Sequence, residues 1–138
     1  YTVLQWLKVE REGLLVIIES FGFKYGVPSN VDFVFDMRSL PNPYYDEKLR
    51  PFNGLDKVIQ NYLDQQPLAQ EMIEDIDQFM SRWLPRMQVE SRSYVTIGIG
   101  CTGGQHRSVY VSEKLATRLR KNYKLLVRHR QLAKLAER

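Results

Sequence analysis

Between Cys101 and Ser108 the chain reads Cys-Thr-Gly-Gly-Gln-His-Arg-Ser, a run that gathers a thiol, two glycines, an imidazole, a guanidinium and a hydroxyl. A glycine pair lets several backbone N–H groups converge on one point, and a helix opening just behind it adds the positive end of its dipole. Arg107 contributes a planar fork that matches two phosphate oxygens and cannot be titrated away, and His106 adds a further donor. This chemistry points to capture of an anion, a phosphate above all, by Gly103, Gly104, His106, Arg107 and Ser108. The Lys-Ser/Thr of a Walker loop is missing and the glycines lack dinucleotide spacing.

Two other readings compete for the same residues. Cys101 to Arg107 spells C-x-x-G-x-x-R, followed by Ser108, which resembles the loop of cysteine-dependent phosphatases, where a thiolate attacks phosphorus and the arginine holds the equatorial oxygens. In that alternative Cys101 and Arg107 are catalytic. Those enzymes usually carry His where this chain has Gly100, and they need a positioned acid, for which the upstream Glu90, Asp77 and Asp75 are poorly placed. The plainer reading is a tight reversal with Cys101 as a small buried residue.

Such a loop must be held by regular elements. Tyr94-Val95-Thr96-Ile97-Gly98-Ile99-Gly100 is apolar and β-branched, so a strand leads in, and a helix starting at Arg107 or Ser108 leads out, with Val111, Leu115, Ala116 and Leu119 inward. Gly13 to Phe21 is a continuous apolar run, the pattern of a strand buried on both faces. Gly22 to Pro28 reads as a loop and Val31 to Asp36 as a second strand. Its end, Asp36-Met37-Arg38, falls where ligand-binding residues gather in open α/β sheets. Ser39 to Asp46 cannot be helical, because Pro41 and Pro43 push their predecessors into extended geometry. With Asn42 and Tyr44 it either walls a pocket beside Asp36 and Arg38 or is a crossover loop that packs its tyrosines. After Gly54 the spacing predicts a helix through Leu63, ended by Pro67. A longer helix runs from about Ala69 to Leu84, with Met72, Ile73, Ile76, Phe79, Met80 and Trp83 as a core stripe. Tyr123 to Val127 is a last strand, Arg130 to Arg138 a basic tail, and Leu4 to Arg11 an arm or short helix. The expected fold is α/β: a mostly parallel sheet flanked by helices in a single domain.

Composition sets the bounds. The 138 residues, 43% hydrophobic and 12% aromatic, suit one packed domain. No stretch has membrane-spanning length and no secretory signal is visible, so no membrane partner is expected. One cysteine cannot form an internal disulfide, which favours a reducing cytoplasm, and two histidines leave little for a metal site. The chain opens Tyr-Thr-Val without Met, as a piece of something longer or a processed start would. The net charge of +4 hides an asymmetry: from Arg118 onward eight Lys/Arg face Glu137 alone, a local +7, leaving −3 for residues 1–117. Arg118, Arg120, Lys121, Lys124, Arg128, Arg130, Lys134 and Arg138 form the electrostatic footprint of a polyanion partner, or else a solvated basic face. No base-stacking motif accompanies them, so recognition through shape and backbone is expected.

Asp36-Met37-Arg38-Ser39-Leu40-Pro41-Asn42-Pro43 and Gly100 to Val109, with Asn53-Gly54-Leu55-Asp56 and Arg128-His129-Arg130, resemble the C-terminal domain of the RapZ/YvcJ family, the RNase adapter proteins. The resemblance covers essentially the whole chain. It implies a domain that senses glucosamine 6-phosphate, binds small regulatory RNA, joins a homotetramer and serves to present an RNA to RNase E. By motif, Thr102, Gly103, His106 and Arg107 would hold the phosphate, and Asp36 and its neighbours would face the amino sugar. Tyr44 stands where enterobacterial members carry His, and the tail is thinner in charge than theirs. Full-length members begin with a P-loop domain, so ATP or GTP belongs there and no cofactor is expected here. Arg107 opens the helix whose far end bears Arg118, Arg120 and Lys121, a route by which sugar phosphate and RNA would influence each other.

Overall fold

In the computed structural model, which describes residues 13–90 and 92–132, four strands form one parallel sheet. They are β1 (Leu15–Gly22), β2 (Phe33–Asp36), β3 (Tyr94–Cys101) and β4 (Lys124–His129), in the order β2-β3-β1-β4. Three helices, α1 (Lys57–Asp64), α2 (Pro67–Val89) and α3 (Arg107–Leu119), pack on one another, and α3 also lies against β1, β3 and β4. The α/β expectation holds. β1 is central, with Leu15 opposite both Tyr94 and Lys124, and it is buried on both faces. Alternation then divides the strands: Val16, Ile18, Val95, Ile97 and Ile99 join the core shared with the helices. On the other face Gly98 and Gly100 leave room for the Phe21 ring, which a Cβ at position 100 would meet at 2.6 Å.

Several boundaries differ from the sequence reading. Pro67 does not end α1, which stops at Asp64; it is the first residue of α2, where its missing N–H costs nothing. α2 also runs past Leu84 to Val89 with Pro85 inside, on an exposed side where water can serve the carbonyl the proline leaves free. The α2 stripe splits. Ile73, Ile76 and Met80 are buried, whereas Phe79 and Trp83 are about two-fifths exposed, and the Phe79 ring lies edge-on to Phe33 and Phe35 at the β2 edge. Single 3-10 turns occupy Phe23–Tyr25 and Pro43–Tyr45, so Ser39 to Asp46 is free of α-helix as expected. The arm from Leu4 to Arg11, and Lys134 and Arg138 of the tail, lie outside the described residues.

The strand order positions the site. The chain leaving β3 must pass β1 to reach β4, and the chain leaving β1 must pass β3 to reach β2. Because all strands are parallel, both departures occur at the same end of the sheet, where open α/β folds bind ligands. The two loops cross in contact, Lys24 N–H donating to the Thr102 carbonyl at 3.2 Å.

Candidate functional site

Glycine backbone makes the crossing possible. A Cβ at Gly22 would stand 2.6 Å from the Gly103 carbonyl carbon, and one at Gly104 2.6 Å from the Gly22 nitrogen. Gly104 also has φ +75, a left-handed geometry that side chains strain to adopt. Gly103 has open space around its Cα, so its surroundings do not demand glycine. Behind the loop, Asn53 and Asp56 tie the next turn together: Asp56 accepts from Asn53 N–H and Asn53 from Leu55 N–H, each at 2.8 Å. This turn presses Gly54 onto the start of α3. Gly54 N–H donates to the Gln105 carbonyl at 2.7 Å, and a Cβ there would meet the His106 carbonyl oxygen at 2.5 Å.

Arg107 joins the loop to the segment after β2. Its Nη1 donates to the carbonyls of Arg38 at 2.9 Å and Leu40 at 3.1 Å, and Nη2 lies 3.4 Å from Thr102 Oγ1. The side chain is only 3% exposed, its Nε has no acceptor, and no carboxylate pairs with it among the described residues. A buried cation without an ion-paired counter-charge is costly; carbonyl dipoles and the field of Asp36 offset only part of that cost. His106 is also buried, with Nε2 3.3 Å from the Arg50 carbonyl oxygen. A carbonyl can only accept, so Nε2 carries the proton. Burial pushes the imidazole below its ordinary value; the carbonyls of Phe52 and Arg50 oppose this, and Arg107 reinforces it. Cys101 Sγ receives the Gly104 N–H at 3.3 Å and lies 3.2 Å from Ser108 Oγ, at the floor of the loop.

These residues wall a cavity of about 280 Å³, near the lower end of the roughly 300–1,000 Å³ usual for ligand pockets. Thr102, Gly103, His106, Arg107 and Cys101 line it together with Asn42 and Tyr44. Tyr45, from the expected Ser39–Asp46 wall, lines it too, and so do Lys24 and Gln105, which were not among the expected ligand residues. Lys24 arrives from the crossing loop after β1, and only the strand order brings it there. Asn42 uses its side-chain oxygen to accept from Tyr44 N–H at 3.1 Å, which turns the chain so that Tyr44 stacks under the Arg50 guanidinium. Four of the expected residues are not in the wall. Asp36 and Arg38 hold each other through side-chain hydrogen bonds of 2.8–3.1 Å, with Arg38 laid over the Phe23 ring. Those bonds keep the Asp36 carboxyl below its ordinary range. Ser108 is wholly buried beside Cys101, and Gly104 serves the crossing with Gly22.

The basic end is less uniform than its sequence. Arg118 is held by Glu74 and by Asp77, the latter at 3.2 Å, and Arg130 pairs at 3.0 Å with Glu19, whose carboxylate is buried. Arg120, Lys121, Lys124 and Arg128 are exposed and have no ion pair among the described residues. They run from the end of α3 along the β4 edge of the sheet.

Fold and site together define a single α/β domain with a cavity under a glycine-rich loop at the C-terminal ends of parallel strands. Its sequence carries the same signature along most of its length. A family model described as the RapZ C-terminal domain matches residues 14–133, and the chain belongs to that family. A nucleotide-binding protein of Neisseria meningitidis serogroup B is 68% identical over all of this chain and 49% of its own length. One of Paraburkholderia xenovorans is 53% identical over 93% of the chain and 43% of its own length. The chain thus spans about half the length of these relatives, none of which bears an enzyme name. No described helix is long and apolar enough to cross a membrane.

Proposed function

We propose that this chain is a RapZ-type regulatory domain which binds a phosphorylated amino sugar, glucosamine 6-phosphate, in the cavity and small regulatory RNA along its basic end. The observation that carries the reading is Arg107: a guanidinium 3% exposed, lining a cavity, with no ion-paired carboxylate and one donor unused among the described residues. A phosphate there supplies the missing counter-charge, with Lys24 adding a second cation and Thr102 and Gly103 their polar groups. The sugar then lies toward Asn42, Tyr44 and Tyr45. Asp36, already neutralised by Arg38, recognises the amine only if that pair opens. RNA is held through phosphate contacts from Arg120, Lys121, Lys124 and Arg128, and binding falls steeply with salt. In the cytoplasm the complete protein, a homotetramer, presents the RNA to RNase E. The nucleotide binding stated in the relatives' names belongs, in this reading, to the half of those proteins outside this chain.

The thiol keeps one alternative alive, because Cys101 Sγ lines the cavity and receives a backbone N–H as a phosphatase nucleophile would. No Asp or Glu is in the cavity wall among the described residues to act as its acid. Calorimetric titration of glucosamine 6-phosphate into wild type, Arg107→Ala and Cys101→Ser, with inorganic phosphate assayed in parallel, separates the two. Binding that Arg107→Ala abolishes and Cys101→Ser retains, without phosphate release, supports the sensor. Phosphate release that stops in Cys101→Ser identifies a phosphatase.

A further inference from the structure

The three residues after Arg128 reach back into the sheet at three points. His129 Nδ1 lies 2.7 Å from Ser20 Oγ, and its Nε2 lies 2.7 Å from the Glu113 carboxylate. Arg130 donates to Glu19 at 3.0 Å. Gln131, 2% exposed, accepts the Gly22 N–H through Oε1 at 2.9 Å, while its own Nε2 is buried with no partner among the described residues. Gly22 is the residue against which the anion loop lies. A Cβ at Gly104 would meet both the Gly22 nitrogen and, at 3.0 Å, Gln131 Cγ. Loop, strand end and Gln131 are therefore stacked in contact, with no side chain between the two backbones to absorb a displacement.

The other exit from the loop leads to the same place. α3 opens with Arg107 and carries Glu113, the carboxylate that holds His129. Both ends of the anion loop thus bear on residues 129–131, which lie between Arg128 and the rest of the basic tail in sequence.

We propose that His129, Arg130 and Gln131 form a bracket that transmits occupancy of the anion loop to the basic end of the chain, with Gln131 as a positioning residue acting through Gly22. The proposal rests on reading the loop as an anion site. An anion drawing in the loop's N–H groups displaces Gly103 and Gly104 against Gly22, and close-packed contacts pass such a shift on because they hold no free volume. The bracket also has a reason to possess two seatings. Its present one leaves a buried amide donor unpaired, a cost that a second seating recovers. This route differs from one along α3 to Arg118, whose guanidinium is fixed by Glu74 and Asp77.

Hydrogen–deuterium exchange on the full chain, with and without saturating glucosamine 6-phosphate and then inorganic phosphate, reads this directly. In wild type, ligand slows exchange several-fold at residues 101–107 and also at 124–132, with α1 changing less. In Gln131→Met, which keeps the volume and removes the acceptor, the loop remains protected while 124–132 exchanges at its unliganded rate. Equal protection of 124–132 in both proteins, protection of the loop alone in wild type, or uniform slowing across the chain through global stabilisation overturns the bracket. No protection of the loop with either probe overturns the anion reading itself. Should Gln131→Met not fold, Glu113→Ala removes the carboxylate that holds His129, at a side chain about two-fifths exposed; 124–132 then loses its ligand-dependent protection if the bracket transmits occupancy and keeps it if it does not.

Discussion

Arg107 and Arg118 lie on the same helix and are used in opposite ways. Arg107, in the first turn, is buried among carbonyl oxygens with no ion-paired carboxylate among the described residues, and Asp36 acts on it only through space. Arg118, in the last, is part-exposed and held between Glu74 and Asp77. The contrast extends to the regions around them. The glycine-rich loop has no ion-paired carboxylate on Arg107 among the described residues, whereas the basic end, richer in cations, has already committed Arg118 and Arg130 to internal partners. A count of charges therefore overstates the second region and understates the first. What a ligand meets is the charge left over after the fold has paired its own groups, and a buried leftover attracts far more strongly than an exposed one.

The sharpest way to break the contrast is at the glycines. Gly104→Ala forces a side chain into φ +75 and into the Gly22 backbone, and is expected to destabilise the chain by at least about 2 kcal/mol and to abolish phosphate binding. Gly103→Ala, with open space around it, is expected to cost less than about 1 kcal/mol. Urea unfolding of the two proteins makes the comparison; similar losses would show that the crossing of loop and β1 is not the constraint. Next comes Arg107→Lys. It preserves the charge but cannot serve two carbonyls and a ligand together, so the Kd for glucosamine 6-phosphate should rise more than about tenfold. An unchanged Kd in calorimetry would mean that charge alone, without the fork, makes the site.

A smaller effect is expected from pH. The imidazole of His106 is pushed below its ordinary value of 6.5 in the native state, chiefly by burial. As pH falls below that value the unfolded chain takes up a proton that the native chain still refuses, so stability is full above it and is lost as pH drops toward the native value. Melting temperature should accordingly fall between about pH 7 and about pH 5 more steeply in wild type than in His106→Gln. Parallel slopes would place the proton uptake elsewhere. The smallest effect belongs to Arg118. Arg118→Ala should leave the salt dependence of RNA binding nearly unchanged, while the double change Lys121→Ala with Lys124→Ala should lower the log–log slope by roughly one to two, one unit or slightly less per lost phosphate contact. If Arg118→Ala has the larger effect, its ion pairs open on binding and the two ends of α3 do not differ in this way.

Much of this was legible in order along the chain. Apolar continuity in Gly13 to Phe21 and Tyr94 to Gly100 marked the two central strands, and glycines followed by helical spacing marked the loop and α3, because local patterning reflects how each segment is buried. Pro67 is ambiguous in the sequence because a proline that cannot continue one helix is equally suited to begin the next, and the difference lies in two residues of turn. Trp83 and Phe79 had helical spacing but proved to be at the rim of the core, which spacing cannot distinguish from its centre.

Residue types and spacing determined that a glycine-rich loop leads from a strand into a helix, that a parallel α/β sheet carries it, and that positive charge gathers toward the C-terminal end. The tertiary structure alone decided which groups remain available. It set Asp36 against Arg38 and buried Ser108, and it brought Lys24 to the cavity across a strand crossing. It also seated Gln131 under Gly22 from 109 residues away. The physical reason is that chemical type is a property of a residue, whereas free charge and an open donor are properties of everything packed around it.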